Sequence, residues 1–160
     1  MVCVNVLALF HTHGRGDELA ETFNWVYTVL NHRAYVNGTL YYHGADPFLY
    51  FASRLAAISP VVHARLYPLL RNRIAERFGA DGDALALAMR VVAAAHSGLC
   101  DLVDHRRLLA LQEEDGSWPV GWIYKYGSSG VLIGNKRLTT AIAVQALGAM
   151  NDLEGVNTGD

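Results

Sequence analysis

Apolar residues recur with a helical period along almost the whole chain, and glycine, proline or aspartate interrupts the pattern at intervals. In one segment, for example, Leu19, Phe23 and Val26 fall on the same helical face. Apolar–polar alternation, which would indicate strands, is weak and confined to residues 131–133. The pattern predicts an all-α chain of about seven helices, at residues 2–11, 17–33, 46–58, 60–79, 83–98, 101–112 and 137–150.

The predicted helices alternate in composition along the chain. The first, third, fifth and seventh are more apolar, whereas the second, fourth and sixth carry more charge. Stacked helical hairpins show this alternation when apolar helices form an inner layer that amphipathic helices cover. We therefore predict an α/α-toroid architecture, of which this chain forms a partial barrel.

Aspartate residues stand at several predicted helix starts. Asp46 precedes Pro47, and Asp83 and Asp101 open the fifth and sixth helices. An aspartate in this position accepts a hydrogen bond from a free backbone N–H group, and proline fits the first helical turn. We interpret all three aspartates as capping residues, and we expect Asp104 to be solvated.

The helical pattern breaks between residues 113 and 135. This stretch holds five glycines, two tryptophans and two tyrosines, and a segment of this kind is typical of functional loops. It predicts a long loop or a short hairpin before the last helix.

The amino-acid composition and the net charge exclude several classes of function. A chain of 160 residues, 52% hydrophobic and 18% charged, can bury a core as one folded unit. Its net charge of -2 argues against a nucleic-acid partner or an anionic membrane surface. No apolar run is long enough to span a bilayer, and Cys3 and Cys100 cannot form a disulfide framework. We therefore expect a cytoplasmic protein in which both cysteines are buried small hydrophobic residues.

A motif in the glycine-rich stretch carries a family resemblance. The segment Gln112-Glu-Glu-Asp-Gly-Ser-Trp118 is similar to the QW motif of terpene cyclases, in which glycine and tryptophan follow a glutamine. Residues 2–10, 24–55 and 115–140 also resemble the C-terminal part of fungal terpene cyclase-like proteins. The chain thus resembles part of the class II cyclase β-domain in the haloacid-dehalogenase-like, drimane-type sesquiterpene synthase family.

The resemblance implies a structural role for Gln112, Gly116 and Trp118, with the glutamine capping a neighbouring helix and the tryptophan packed over the turn. The family's acid is a DxDT motif upstream of the matched part, and neither DxDT nor DxDD occurs in this chain. We expect residues 1–153 to be part of a larger α/α domain and residues 154–160 to be a flexible tail.

Class II cyclisation, which the resemblance implies, needs a dry cavity whose aromatic faces stabilise carbocations. Aromatic residues that could line such a cavity lie in two parts of the chain. They are Tyr41, Tyr42, Phe48, Tyr50, Phe51, Trp122, Tyr124 and Tyr126. Ordinary core and hairpin packing is the alternative interpretation for each of them.

A prenyl diphosphate substrate requires cations nearby. Lys125, Lys136 and Arg137 are close in sequence, and the last two lie at a predicted helix start, where the helix dipole favours an anion. We interpret the three as diphosphate-binding residues, with solvated surface charges as the alternative. We predict no metal site, because His11 and His13 diverge by about 200° around a helix, and no cofactor, although Mg²⁺ could accompany the diphosphate.

Two functions remain open. In the first, the chain is a terpene cyclase-like domain that acts on a prenyl diphosphate of the farnesyl diphosphate class, with its acid supplied from elsewhere. In the second, it is a catalytically inactive helical scaffold, or an isoprenoid-binding or interaction module. An open arc of hairpins leaves apolar flanks on the first and last helices, so we expect a homodimer or pairing with the missing half of the domain.

Overall fold

A computed structural model of the chain describes residues 1–157, which contain seven α-helices, one antiparallel hairpin and two short 3₁₀ turns, Gly16–Leu19 and Gly127–Ser129. The helices occur where the hydrophobic period predicts them, so the all-α class is confirmed. In chain order the elements are α1 (Val2–Thr12), α2 (Ala20–Asn31), α3 (Asp46–Ile58), α4 (Pro60–Ala75), α5 (Ala84–His96), α6 (Leu102–Ala110), β1 (Trp122–Tyr126), β2 (Val131–Gly134) and α7 (Lys136–Asn157).

The glycine-rich stretch forms the hairpin, with Tyr126 paired to Val131 across the turn. The last helix continues to Asn157, beyond its predicted end, and residues 158–160 of the predicted tail lie outside the described residues. Across the part of the chain that the structure describes, no helix combines the length and apolarity needed to cross a bilayer.

The helices pack in an inner row and an outer layer. In the inner row, α3 packs against α1 and α5, and α5 packs in turn against α7. Outside this row, α4 covers α3, α6 covers α5, and α2 packs against α1 and α4. The alternation of apolar and charged helices in the sequence therefore corresponds to a partial α/α barrel.

The core consists of two buried clusters joined through α3. One cluster includes Leu7 and Leu55, and the other includes Met89 and Met150. Phe51 packs against both clusters. Each large side chain buried in this way contributes about 1.5–3 kcal/mol to folding, so α3 connects the main sources of stability.

Two of the three predicted aspartate caps are confirmed. The carboxylates of Asp83 and Asp101 accept hydrogen bonds from the N–H groups of Ala86 and Asp104, at 3.0 and 3.1 Å. Asp46 does not cap α3: it lies inside the first turn, and its carboxylate binds arginines instead. That prediction was wrong because distant guanidinium groups compete for the carboxylate.

The cysteines differ in exposure. Cys3 is half-buried, whereas Cys100 is exposed. The prediction that both are buried was therefore wrong for Cys100, which lies in the short connection between α5 and α6.

Apolar side chains on both end helices of the inner row face outward. On α1, Val2, Val6 and Leu9 are 67%, 36% and 56% exposed, and Val144 on α7 is 58% exposed. Monomeric proteins rarely leave such a face uncovered. The predicted apolar flank is therefore present on α1, whereas on α7 Val144 is the one large apolar side chain exposed among the described residues.

We expect the chain to self-associate through α1, and Leu9→Gln to weaken this association about tenfold by removing buried apolar area. Leu109→Gln on α6 is the matched control, because Leu109 is also exposed and α6 packs against α5 and α7. Sedimentation equilibrium over a range of concentrations measures the effect. A wild-type chain that stays monomeric at high concentration would contradict the expectation.

Candidate functional site

The hairpin is anchored to the N-terminal ends of two inner helices. Asp83, which caps α5, also accepts a hydrogen bond of 2.8 Å from the N–H of Trp122. The N–H of Gly121 donates to Thr139 Oγ1 in α7, at 2.9 Å. A side chain at position 121 would not fit, because its Cβ would lie 2.3 Å from Leu85 Cβ. The starts of α5 and α7 therefore fix the base of the hairpin.

A loop between α2 and α3 extends the hairpin on its open side. The N–H of Lys125 donates to the carbonyl of Tyr41 at 2.8 Å, and the N–H of His43 donates to the carbonyl of Ile123 at 3.1 Å. The loop can turn here because Gly38 has a φ of +70°, and a Cβ there would lie 2.4 Å from the Tyr42 carbonyl. This pairing brings together two aromatic segments that are far apart in sequence.

The paired loop and hairpin form an open groove of about 560 Å³. Tyr41, Tyr124, Tyr126 and Lys125 are among the residues that line it. Tyr42 lies behind them, with its ring centroid 5.0 Å from that of Tyr124. Burial raises the pKa of the Tyr42 phenol, and its hydrogen bond with Tyr124 raises it further. We call this feature the tyrosine groove.

The other predicted cavity aromatics lie outside the tyrosine groove. Phe48, together with Tyr42, lines a separate apolar cavity of about 180 Å³, and Trp122 lines a pocket with both polar and apolar walls. Tyr50 and Phe51 pack edge to face within the core. The structure thus distributes the predicted aromatic set over a groove, two pockets and the core.

The three predicted diphosphate-binding cations are not gathered at one place. Lys125 lines the tyrosine groove. Lys136, at the start of α7, forms ion pairs with Glu113 and Asp115, and its hydrogen bond with Glu113 raises its pKa. Arg137 is exposed beside it. Of the three, Lys125 is the cation that lines the groove.

A pocket of about 110 Å³ with a mixed polar and apolar lining lies between the starts of α3 and α5. Its lining includes His43, Asp46, Arg77 and Trp122. The Asp46 carboxylate is almost completely buried and accepts hydrogen bonds from Arg77 and Arg90 on both oxygens. The wall of this pocket is therefore one end of a buried ion network.

Arg90 is the centre of that network. It is 1% exposed and binds Asp46 at 3.1 Å and Asp104 at 2.8 Å. Asp104 is fully buried and also accepts from Arg107 and from the N–H of Gly79. The prediction that Asp104 is solvated was therefore wrong. The signal that could have revealed the network is a lone arginine within the apolar sequence of α5.

The glutamine and tryptophan of the predicted QW motif lie on either side of a tight turn. Trp118 is 1% exposed, and its Nε1–H donates to the Leu108 carbonyl at 2.8 Å. The Gln112 amide donates to the Gly116 carbonyl at 3.1 Å, within the same turn. Gln112 thus binds locally and does not cap a neighbouring helix, because Gly116, with a φ of +80°, turns its carbonyl within reach.

Metal-ligating side chains are scattered. Within residues 1–157, apart from the few whose side chains are not described, no group of three or more His, Cys, Asp or Glu residues could hold a metal ion.

Comparison with known proteins finds a relative named as a cyclase. The chain is 44% identical, over 149 residues, to drimenol cyclase drtB of Aspergillus calidoustus. The match covers 92% of this chain, and the chain spans 28% of the length of that cyclase. No family model and no solved structure matches the chain. The chain is therefore related, over nearly all of its length, to one segment of a fungal drimane-type terpene cyclase.

Proposed function

We propose that this chain is a terpene cyclase-like segment that binds a prenyl diphosphate of the farnesyl diphosphate class in sesquiterpenoid biosynthesis. The similarity to a drimenol cyclase supports the reaction class. The observation that carries the proposal is the tyrosine groove, where Tyr41, Tyr124, Tyr126 and Lys125 line the same open surface.

The tyrosine groove suits both parts of such a substrate. Its volume of about 560 Å³ falls within the usual range for small-molecule sites. The rings of Tyr41, Tyr124 and Tyr126 offer apolar area for a polyprenyl chain, and they would stabilise a carbocation once another segment covers the open groove and excludes water. Strand alternation places the Lys125 side chain on the opposite face of β1 from Tyr124 and Tyr126, so its ammonium attracts the diphosphate from the rim of the groove.

The acid that starts class II cyclisation comes from outside this segment in our proposal. The buried carboxylate of Asp46 accepts hydrogen bonds from two arginines, and the half-buried carboxylate of Asp83 accepts from two backbone N–H groups. Neither oxygen pair is available to protonate an alkene. The role of this chain is then to hold the substrate and to stabilise the cations that form after protonation.

Binding without chemistry is a second candidate function, and the same engaged carboxylates favour it. A chimaera separates the two. This chain replaces the matching segment of the drimenol cyclase, and the purified protein is incubated with farnesyl diphosphate. Formation of a cyclised product supports the catalytic role, whereas substrate binding without any cyclised product supports the binding module.

We expect the purified chain to bind farnesyl diphosphate, and Tyr124→Ala and Lys125→Ala each to weaken binding about tenfold. Removing Tyr124 deletes an aromatic wall of the groove, and removing Lys125 deletes its ammonium group. Isothermal titration calorimetry measures both effects.

Matched controls exist for each binding variant. Tyr27→Ala on α2 removes a tyrosine of similar exposure, 38% against 43% for Tyr124. Arg71→Ala removes an exposed cation on α4. If the controls weaken binding as much as the groove variants, the tyrosine groove is not the binding site.

A further inference from the structure

Two buried aspartates lie one turn apart at the start of α6. Asp101 and Asp104 are both 0% exposed. One carboxylate oxygen of Asp101, Oδ1, accepts the N–H of Asp104 and caps the helix. The other, Oδ2, is buried and has no donor to accept from, whereas a protonated Asp101 can form a side-chain hydrogen bond with Asp104. An ionised carboxylate with an unpaired buried oxygen is costly.

The carboxyl groups of Asp101 and Asp104 have different charged neighbours. Asp104 holds Arg90 from α5 at 2.8 Å and Arg107 from α6 at 3.0 Å, and it also accepts the N–H of Gly79 from the preceding loop. These donors compensate one full negative charge on Asp104. No guanidinium binds Asp101 among the described residues, and the adjacent Asp104 carboxylate repels a second negative charge there.

We propose that Asp101 is kept as the neutral carboxylic acid inside the fold, with its Oδ2 proton shared with the Asp104 carboxylate, and that loss of this proton weakens the packing of α6 on α5. The proton satisfies the one orphaned oxygen and removes the like-charge contact. Asp101 and Asp104 then form a pH-sensitive contact between the inner helix α5 and the outer helix α6.

The pKa of Asp101 differs between the folded and the unfolded chain, and this difference sets the direction of the pH effect. Burial, followed by the Asp104 charge, raises the pKa of Asp101 from 3.8 to about 6, although the capping hydrogen bond and Arg90 oppose the rise. Between these two values the unfolded chain releases the Asp101 proton while the folded chain retains it. This group therefore favours folding at low pH, and its contribution is lost as pH rises towards about 6.

The test compares thermal unfolding of the whole chain with that of Asp101→Asn between pH 4.5 and pH 8. Asparagine keeps the capping oxygen and donates an N–H where the shared proton lies. We expect Asp101→Asn to raise the Tm by about 5 °C at pH 8 and to leave it nearly unchanged at pH 4.5. Asp81→Asn is the control, because it removes the same charge at an exposed position in a nearby loop. A difference between wild type and Asp101→Asn that does not vary with pH would overturn the proposal.

A second measurement covers the case in which Asp101→Asn folds poorly. The carboxyl ¹³C shift of Asp101 in the wild-type chain, followed by NMR, reports its ionisation directly. A midpoint near 6 supports the shared proton, and a midpoint below 4 overturns it. Neither measurement requires a ligand, so the outcome is independent of the proposed substrate.

Discussion

Arg90→Met is expected to destabilise the chain by about 3–5 kcal/mol, a large part of the folding free energy of an ordinary domain. Arg90 is the common partner of the buried carboxylates of Asp46 and Asp104, and it also donates to the carbonyls of Ala80 and Asp81. Methionine fills much of the same volume. The lost folding free energy therefore measures the cost of leaving two buried negative charges without their shared partner.

Arg107→Met is the matched control for Arg90→Met. Arg107 also binds Asp104, but it is 38% exposed, and Asp104 keeps Arg90 when Arg107 is removed. We expect this variant to lose about 1–2 kcal/mol, because it removes hydrogen bonds to Asp104 and to the Ala80 carbonyl but leaves the buried Asp104 carboxylate paired with Arg90. Urea unfolding at pH 7, followed by circular dichroism, gives both values. Equal losses in the two variants would show that the buried network does not depend on Arg90.

The network also shows why the sequence predicts the helices better than it predicts the ion pairs. The caps at Asp83 and Asp101 depend on N–H groups three residues away, so a short window of sequence contains the whole signal. Arg90 binds carboxylates 14 and 44 residues away. Nothing local distinguishes Asp46, which was predicted to cap a helix, from an aspartate that does so.

The tyrosine groove also depends on contacts between residues that are far apart in the sequence. Periodicity identifies the glycine-rich stretch as a break in the helices, and the family resemblance draws attention to its aromatic residues. The groove itself forms because Tyr41 and Lys125 pair through their backbones. Backbone pairing between a loop and a strand carries little side-chain signal, so the sequence could not separate Tyr124 in the groove from Phe51 in the core.

A lysine at a helix start does not by itself identify an anion-binding site, as Lys136 shows. Its position at the N-terminus of α7 suggested an anion site, because the helix dipole favours negative charge there. The structure places Glu113 and Asp115 against it. A bound diphosphate would have to displace these two carboxylates, so Lys125 is the better candidate for a first contact.

Trp118→Ala is expected to have the second large effect, a loss of about 3–5 kcal/mol. Trp118 is almost completely buried, and its ring links the end of α6 to the base of the hairpin. Its backbone N–H also donates to Thr140 Oγ1 in α7, at 3.2 Å. Alanine removes the ring and leaves a cavity where α6, α7 and the hairpin meet.

Trp118→Phe separates loss of the ring volume from loss of the hydrogen bond. It keeps most of the apolar area and forfeits the bond to the Leu108 carbonyl, so we expect a loss of about 1–2 kcal/mol. Urea unfolding measures the stability of each variant, and calorimetric titration measures its affinity for farnesyl diphosphate. Because Trp118 supports the hairpin that carries Tyr124, the phenylalanine variant should retain binding, and Trp118→Ala should weaken it even in the fraction that remains folded. Full binding by folded Trp118→Ala would show that the tyrosine groove does not depend on this anchor.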